Sequence, residues 1–495
     1  MISKKAAFPA LCGLAFLAAA CSSNAGNTGG PPPVSPQHIG GHRGGVQSPR
    51  RQKISHIVVI IQENRSFENL FAGYPGANAP LTGCASPTPG GTSAPRLPAA
   101  VRPFTASSPS PSPSPSSSPC PSGDAVVPLQ QVTFQNNHDI KHDWDSSLVD
   151  WNNGAMDGFS AWGVSHGQYI AYTYIEPSEV VPYWTMAQQY VLADEMFPTE
   201  FGGSFTGHLT LVAGTDDIKL PGRAEVNFPS VAPDDCDSPP GTKSSYVAAS
   251  PYRKLHPWQG GFPCFDQFNT IAQVLDAAKI SWKIYATKVL NAGFWEPFEA
   301  IKYVRYGPDW PSNISAPQTN VLTDAATGAL PSVSWVTPSK ADSDHPVAHS
   351  DQGPSWVASV VNAIGESKYW PNTAIIVVWD DWGGFYDGAP PPQLDYRGLG
   401  IRVPCLIISP YAKQGYVSHV QYEYGSILRF IEETYGLTPG AIGPTAQGYT
   451  DARAASLDDA FDFTQQPRKF VPIGSKYPLK HFLHERPSNE MVDYE

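Results

Sequence analysis

The sequence predicts an α/β fold in which helices cover both faces of a mostly parallel sheet. Two apolar runs rich in β-branched residues, 54–62 (ISHIVVIIQ) and 374–379 (AIIVVW), are typical of strands buried on both faces. Helical apolar spacing in 270–278 and a helix predicted over 350–365 supply layers to cover such a sheet. A length of 495 residues is enough for one large domain or two ordinary ones.

Composition and charge argue against some classes of function. Lys and Arg total 32 against 44 Asp and Glu, and the resulting net charge of −12, with no basic run, argues against nucleic-acid binding. Charged residues make up only 15% of the chain, whereas 51 prolines and 43 glycines predict many loops. Beyond the N-terminal segment, no apolar run approaches the roughly 18 residues of a membrane span.

The N-terminus has the design of an export signal, which we place at residues 1–20. Lys4 and Lys5 precede an apolar stretch that ends in small residues. The string LAAAC resembles a lipobox ending at Cys21, although its leucine stands four residues before the cysteine instead of three; ordinary signal cleavage is the alternative. Residues 21–53, rich in Gly, Pro and Ser, are predicted to be a disordered tether. We therefore expect an exported protein, either a lipoprotein of the cell envelope or an extracellular one.

Two insertions and two disulfide bonds are predicted in the body of the chain. Residues 81–123 contain a Pro/Ser tract that cannot pack, and residues 216–263 are rich in turn residues. In an oxidising compartment the cysteines at the ends of these excursions can pair, although the sequence cannot fix their connectivity. The pairing we expect is Cys84 with Cys120 and Cys236 with Cys264, which leaves Cys405 as a buried free thiol.

Oxygen ligands follow two of the predicted strands. Asp380 and Asp381 come directly after one apolar run, and Glu63 and Asn64 come directly after the other. Gly383 and Gly384, shortly after Asp381, predict a sharp turn of the backbone. Ligands of open α/β sheets bind at the carboxyl ends of the strands, and adjacent carboxylates repel each other unless a cation holds them. Hard cations prefer such oxygen ligands. The alternatives are a solvated Asp-Asp turn and a Glu63 that caps the following helix.

Three motifs in the same order resemble one known family. They are ENRSFENLF at 63–71, SWVTPSKADSDHP at 334–346 and IIVVWDDWGGFYD at 375–387. Over about 55–437 the chain resembles the bacterial phosphoesterase family, which holds non-haemolytic phospholipases C and a group of acid phosphatases. The resemblance implies an alkaline-phosphatase-like α/β domain over 54–437, with the insertions at its carboxyl edge and a C-terminal extension over 438–495.

The resemblance also implies a nucleophile in the string FPTEFGGSFTGH. Family members present a Ser or Thr after a Gly-Pro pair, at the start of a helix, where the helix N-terminus helps to bind phosphate. Ser204 falls on that position, and Gly203 replaces the usual proline. Thr206 and Thr199 are possible rivals, and a plain N-cap is the alternative role for Ser204.

Histidines are expected to assist the chemistry. His142, two residues before a tryptophan, matches the family pattern, and His138 is a nearby alternative. His345 can protonate a leaving alkoxide or hold a phosphate oxygen, and His349 competes for this role. His419 also matches the family, and its two candidate roles are to help close the metal site and to cap the following helix. Gly388 stands where the family usually has a histidine.

The predicted function is metal-dependent hydrolysis of phosphate esters. Glu63, Asn64, Asp380 and Asp381 would hold a divalent cation, which is Ca, Mg or Mn if all ligands are oxygens and Zn or Fe if a histidine joins them. We favour a phospholipase C-like diesterase, with a phosphatase acting on small monoesters as a near-equal alternative. A non-catalytic lipoprotein that binds a phosphorylated ligand is the alternative from another class. A sulfatase is a further alternative, but the Cys/Ser-x-Pro-x-Arg string that such enzymes usually need is missing from the expected place. We expect a monomer.

An aromatic rim is the feature that would suit a lipid substrate. Tyr183 with Trp184, and Phe294 with Trp295, are candidates for such a rim, although aromatic clusters are more often part of a core.

Overall fold

The computed structural model describes residues 50, 53–87, 120–220, 223–249 and 253–488. The predicted signal, Cys21 and nearly all of the predicted tether lie outside the described residues, as does the Pro/Ser tract of the first insertion. Within the described ranges, no helix combines the length and the apolar character that crossing a membrane requires.

A nine-stranded central sheet organises the described residues. Numbered along the chain, its strands are β1 (His56–Gln62), β2 (Val191–Phe197), β3 (Trp282–Tyr285), β4 (Ile314–Ser315), β5 (Val333–Val336), β6 (Thr373–Trp379), β7 (Val403–Ile408), β8 (Tyr416–Ser418) and β9 (Tyr422–Glu423). Their order across the sheet is β4-β3-β5-β1-β6-β7-β2-β8, with β9 also paired to β2.

The strands are mostly parallel, with one reversal. Strand β1 lies between β5 and β6 and is parallel to both, with Gln62 opposite Trp379. Strand β7 is antiparallel to both of its neighbours, β6 and β2. Because β7 is antiparallel to both β6 and β2, these two strands run in the same direction. The carboxyl ends of β1, β2, β5 and β6 therefore share one edge. The predicted class is confirmed, but the reversal of β7 was not foreseen.

Helices close both faces of this sheet. Every residue of β6 is buried, which requires cover above and below. The helices are α1 (Phe67–Phe71), α2 (Trp144–Trp151), α3 (Val181–Gln189), α4 (Ser204–Ala213), α5 (Ile271–Ala278), α6 (Lys302–Arg305), α7 (Asn320–Thr327), α8 (Gly353–Gly365), α9 (Tyr424–Tyr435) and α10 (Leu479–Leu483). Helix α8 packs on α3, α7 and α10, whereas α4 packs on α5 and α9.

The insertions have structure that the turn-rich sequence did not reveal. The second insertion forms a three-stranded antiparallel sheet from Ala224–Pro229, Ser244–Ala248 and Lys254–His256. The ends of the first insertion pair as a hairpin, Thr82–Ala85 with Ala125–Pro128.

The predicted disulfide bonds, Cys84–Cys120 and Cys236–Cys264, are both present, and Cys405 is a buried free thiol in β7. The C-terminal extension contributes Leu457 and Phe482 to the central core, and both side chains are fully buried.

Candidate active site

The loops after β1 and β6 are joined at the carboxyl edge of the sheet. The backbone N–H of Asn64 donates to Asp380 Oδ1 at 2.8 Å, and the N–H of Arg65 donates to the Asp381 carbonyl at 3.0 Å. Asn64 takes up a left-handed backbone conformation, with φ of 49°. The parallel register of β1 and β6 therefore places Glu63, Asn64, Asp380 and Asp381 side by side, all fully buried.

The glycine turn predicted after Asp381 is required by a close backbone approach. Gly383 has φ of +63°, and a Cβ atom there would lie 2.2 Å from the Asn64 carbonyl oxygen. Its N–H donates to Asp381 Oδ1 at 2.7 Å, which fixes the orientation of that carboxylate. Any larger residue would separate the two loops that carry the acidic and amide groups.

Ser204 is the first residue of helix α4 and lies against these groups. Its Oγ donates to Asp381 Oδ2 at 3.1 Å and accepts from Asn64 Nδ2 at 2.9 Å. The helix can come this close because Gly207 has no side chain. A Cβ atom there would lie 2.3 Å from the Asp380 carbonyl oxygen. The α4 N-terminus, with its unsatisfied N–H groups, therefore faces the acidic loop.

His142 orients the Asn64 amide. Its Nδ1 lies 2.5 Å from the Ile140 carbonyl, which can only accept, so this nitrogen carries the proton. Its Nε2 is then the acceptor for Asn64 Nδ2 at 2.9 Å. This assignment leaves Asn64 Oδ1 as a buried carbonyl oxygen with no hydrogen-bond partner in the described part of the chain.

His345 lies beside His142, with ring centroids 5.8 Å apart. Its Nδ1 accepts from the N–H of Val347 at 3.2 Å, so Nε2 carries the proton of the neutral ring. Burial, followed by His142 and Arg65, lowers the pKa of His345 well below its usual range. The ring is therefore a neutral hydrogen-bond donor at neutral pH.

The loop that carries His345 is fixed by a buried arginine and two aromatic side chains. Arg65 donates to the Asp344 carbonyl through Nε at 2.8 Å and also through Nη2. The Asp344 carboxylate accepts from Tyr183 Oη at 2.8 Å and from Trp379 Nε1 at 3.0 Å. Burial lowers the pKa of Arg65 to about 10, which still leaves it charged at neutral pH.

His208 was not among the residues predicted from the sequence, and the structure brings it to the same place. It lies on α4 one turn after Ser204, with Nε2 3.0 Å from Glu63 Oε1 and 3.8 Å from Asp380 Oδ2. Burial lowers its pKa to about 3, so the contact with Glu63 is a hydrogen bond from a neutral ring. The i, i+4 spacing from Ser204 is the sequence signal that could have identified it.

Ligand atoms of Glu63, His208 and Asp380 lie within 4.8 Å of one another, close enough for one metal ion. Trp295 stacks on the His208 ring and also on the His345 ring, at centroid distances of 6.5 and 6.1 Å. The tryptophan therefore packs one wall of the site, next to both histidines.

A model of the phosphoesterase family matches residues 54–438, which is most of the chain. The chain belongs to the phosphoesterase family. The predicted membership is thus confirmed, and the protein is a hydrolase that acts on phosphate esters.

Curated relatives are similar to this phosphoesterase over most of its length. It is 25% identical over 491 residues to phospholipase C A of Mycobacterium tuberculosis, which covers 88% of this chain and 82% of that protein. It is 24% identical over 462 residues to the non-hemolytic phospholipase C of Pseudomonas aeruginosa, which covers 85% of this chain and 58% of that protein.

A solved structure of an alkaline phosphatase superfamily protein from Vibrio parahaemolyticus matches at 13% identity with a TM-score of 0.32. That match covers 67% of this chain and 70% of the other. A likeness this distant adds nothing to the fold described above.

The alternative residues of this phosphoesterase lie elsewhere or face away. His138 and His349 are exposed, and His349 bonds the Gln135 carbonyl. Thr206 Oγ1 donates back to the Gly203 carbonyl at 3.1 Å. Thr199 is buried, and its Oγ1 has no hydrogen-bond partner among the described residues.

His419 and Gly388 differ from what the family resemblance implied. The His419 side chain is 62% exposed and bonds the Asp194 carboxylate, which is not one of the site residues. A Cβ at Gly388 would lie 3.1 Å from Tyr386 Oη and 3.3 Å from Glu68 Oε1, so a larger side chain there would need its neighbours to shift.

The candidate aromatic rim is not present in the structure, and the alternative, a place in the core, holds for three of its four side chains. Tyr183, Phe294 and Trp295 are buried, with 0%, 4% and 2% of their surface exposed. Only Trp184 is partly exposed. Tyr183 and Trp295 are buried because they pack against residues of the site: Tyr183 donates to Asp344, and Trp295 stacks on His208 and His345.

A cavity of about 320 Å³ opens beside the Ser204 helix. Its apolar lining comes from α2, α4 and the sheet of the second insertion, and includes Trp144, Phe205, Phe228, Leu255 and Trp258. Gly203, directly before Ser204, also lines this cavity.

Proposed function

We propose that this phosphoesterase hydrolyses its substrates with Ser204 as the nucleophile and with a divalent cation. The observation that carries the proposal is the position of Ser204 Oγ, at a helix N-terminus and within hydrogen-bond distance of both Asn64 and Asp381. A carboxylate that accepts the hydroxyl proton makes the oxygen a better nucleophile, and the N-terminus of α4 favours the phosphate anion.

The donor set suits a hard cation. Glu63, Asp380 and Asp381 offer carboxylate oxygens, and the buried Asn64 Oδ1 lacks a hydrogen bond in the described part of the chain. A divalent cation held by these residues would neutralise phosphoryl charge and lower the pKa of the nucleophile. Zinc or iron becomes the better fit if the His208 nitrogen also binds the ion.

The reaction divides into two displacements at phosphorus. In the first, Ser204 Oγ forms a bond to phosphorus, Asp381 takes its proton, and the bond to the leaving alcohol breaks. His345, as a neutral N–H donor, stabilises charge on the departing oxygen through a hydrogen bond. The proton held by Asp381 returns to that oxygen, directly or through water, so that the alcohol leaves neutral. In the second, water attacks the phosphoryl-serine and restores the hydroxyl. His142 acts through Asn64 by holding its amide.

We favour a diester of the phospholipid type as the substrate, and a small phosphomonoester remains the alternative. The apolar cavity next to Gly203 has space for the lipid side of a diester. Both relatives described above are named phospholipases C. The two disulfide bonds favour a protein that is exported from the cytoplasm. Outside the cytoplasm, such a protein can reach lipid surfaces.

A comparison of phosphatidylcholine with p-nitrophenyl phosphate on one preparation tests this proposal. We expect release of diacylglycerol and phosphocholine from the lipid, and a lower kcat/KM for the monoester. Turnover of the monoester without any diacylglycerol would rule out the phospholipase and favour the phosphatase. Turnover of neither substrate in metal-replete protein would contradict the assignment of the site.

His208 gives a separate prediction about metal affinity. Because its Nδ1 has no hydrogen-bond partner in the described part of the chain, we place the proton on Nε2, where it orients Glu63. Removing a group that orients a ligand typically weakens metal binding about 10- to 100-fold. We therefore expect His208→Ala to lower metal affinity, measured by titration calorimetry, by such a factor.

The His208→Gln variant separates the two roles of this ring. A glutamine retains an N–H donor, so it restores affinity if the histidine orients Glu63. No restoration in a correctly folded His208→Gln protein would instead make the ring a metal ligand. Unchanged affinity in both variants would remove His208 from the metal site altogether.

A further inference from the structure

A second group of acidic side chains lies at the base of the second insertion. One carboxylate oxygen from each of Asp235, Asp237 and Glu299 lies within 4.8 Å of the others; we call this group the Asp235 cluster. Asp235 and Glu299 are buried, whereas Asp237 is exposed at its rim. None of these residues takes part in the active site described above.

Two buried oxygen atoms at this place have no hydrogen-bond partner in the part of the chain that the structure describes. Asp235 is 2% exposed and Glu296 is 1% exposed. Oδ2 of Asp235 and Oε2 of Glu296 accept no hydrogen bond within the described ranges of the chain. Glu296 is adjacent to the cluster, since the N–H of Glu299 donates to the Glu296 carbonyl at 3.2 Å. Burial raises the pKa of Glu296, and the charges of Glu299 and Asp235 raise it further.

The described neighbours of the cluster compensate only part of its charge. Arg305 donates to both oxygens of Asp237, at 2.7 and 2.9 Å. Glu299 accepts the N–H groups of Asn291 and Ala292 at 2.7 and 3.0 Å. Burial raises the pKa of Glu299, and the Asp235 charge raises it further. Ionised carboxylates in such a place need a positive charge close to them.

We propose that the Asp235 cluster binds a hard divalent cation, for which Ca²⁺ is the best match. All of the ligand atoms are oxygens, which Ca²⁺ and Mg²⁺ prefer. Two acidic side chains from a loop and one from a short 3-10 helix, instead of a rigid octahedral frame, suit the flexible coordination of Ca²⁺ better than that of Mg²⁺. The partly exposed Asp237 gives the ion access from solvent.

The ion would join segments that have little regular structure of their own. Asp235 and Asp237 flank Cys236, which is bonded to Cys264 and donates its N–H to the Glu299 carbonyl at 3.2 Å. Glu299 follows the segment of Trp295, the ring that packs on both His208 and His345. Calcium at the cluster therefore stabilises the second insertion and the wall of the active site together.

A shared proton is the competing explanation. The carboxyl groups of Asp235 and Glu299 lie within hydrogen-bond reach of each other, so one proton between them would also relieve their repulsion. The two explanations predict opposite effects of Asp235→Asn. An amide preserves a hydrogen bond to Glu299 without a proton, whereas it removes a ligand and a charge from a cation site.

The test uses the Asp381→Asn variant, so that calcium at the active site does not contribute. After chelation and dialysis, calcium is added and the thermal midpoint and the heat of binding are measured. We expect about one additional Ca²⁺ per chain and a midpoint that rises by at least about 2 °C at saturating ion. The double variant Asp381→Asn/Asp235→Asn is expected to lose both effects.

Absence of calcium binding and of a thermal shift in Asp381→Asn would overturn the proposal. So would a double variant that is more stable than its parent without metal, because that result identifies a shared proton. If the double variant does not fold, Asp237→Asn at the exposed rim replaces Asp235→Asn and is expected to weaken calcium binding at least tenfold. Unchanged calcium affinity in that variant would equally reject the cluster.

Discussion

Replacing Ser204 with alanine is expected to lower kcat by at least about 10⁴-fold, because loss of the nucleophile of a hydrolase removes the covalent route. Water would then have to attack phosphorus without the activation that the hydroxyl receives from Asp381. The measurement is steady-state hydrolysis of bis-p-nitrophenyl phosphate. The wild-type protein, quenched during turnover, should also show a phosphoryl group on the peptide that contains Ser204.

Thr206→Val is the matched comparison for this variant. Thr206 lies on the same helix, but its hydroxyl donates to the Gly203 carbonyl instead of to the acidic loop. We expect Thr206→Val to lower kcat less than about tenfold, which corresponds to under about 1.4 kcal/mol in the activation barrier. The assignment of Ser204 fails if the two results are exchanged, with Thr206→Val inactive and Ser204→Ala active.

Replacing Asp381 with asparagine is expected to lower metal affinity by at least about 100-fold, more than the loss of a group that merely orients a ligand. Activity should fall at least about 10³-fold at ordinary metal concentrations, since both charge stabilisation and the proton acceptor of Ser204 are lost. Elemental analysis after dialysis, together with hydrolysis before and after chelation, measures both effects.

Thermal stability gives an independent check on Asp381. Metal at 100 times its dissociation constant stabilises a folded protein by about 2.7 kcal/mol, so the wild-type midpoint should rise when the active-site metal is restored. In Asp381→Asn the part of this rise that comes from the active-site metal should disappear, which leaves only the calcium shift expected of the Asp235 cluster. The metal-free variant loses no stability because one of the crowded carboxylates is neutral. Full activity of chelated wild-type protein would exclude the metal from the mechanism.

The parts of the fold that were predictable from sequence are the strands in which an apolar run is followed directly by an acidic residue. Strands β1 and β6 each contain an unbroken apolar run, and Glu63 and Asp380 follow them directly, so their burial and the acidic edge follow from the chain itself. The same holds for Gly383, whose place after Asp381 predicted the turn. Ser204 and His142 were identified through the family resemblance, not through local pattern.

The rest depended on contacts between distant segments. The reversal of β7 has no local signature, because an apolar run has the same appearance in either direction. The pairing of His208 with Glu63 required knowing that α4 begins beside β1. For Tyr183 and Trp295 the sequence left a surface rim and a place in the core both open, and their burial follows from packing against Asp344 and the two histidines.

The hydrogen bond between Asn64 and Asp381 joins residues 317 positions apart in the chain. Ser204 and His345 belong to segments between these two, so no short fragment of the protein carries the complete site. Contacts of such long range form late, because the intervening chain must be ordered first. Catalytic activity of this protein is therefore a direct report of completed folding, and proteolytic fragments or incomplete chains will be inert towards phosphate esters.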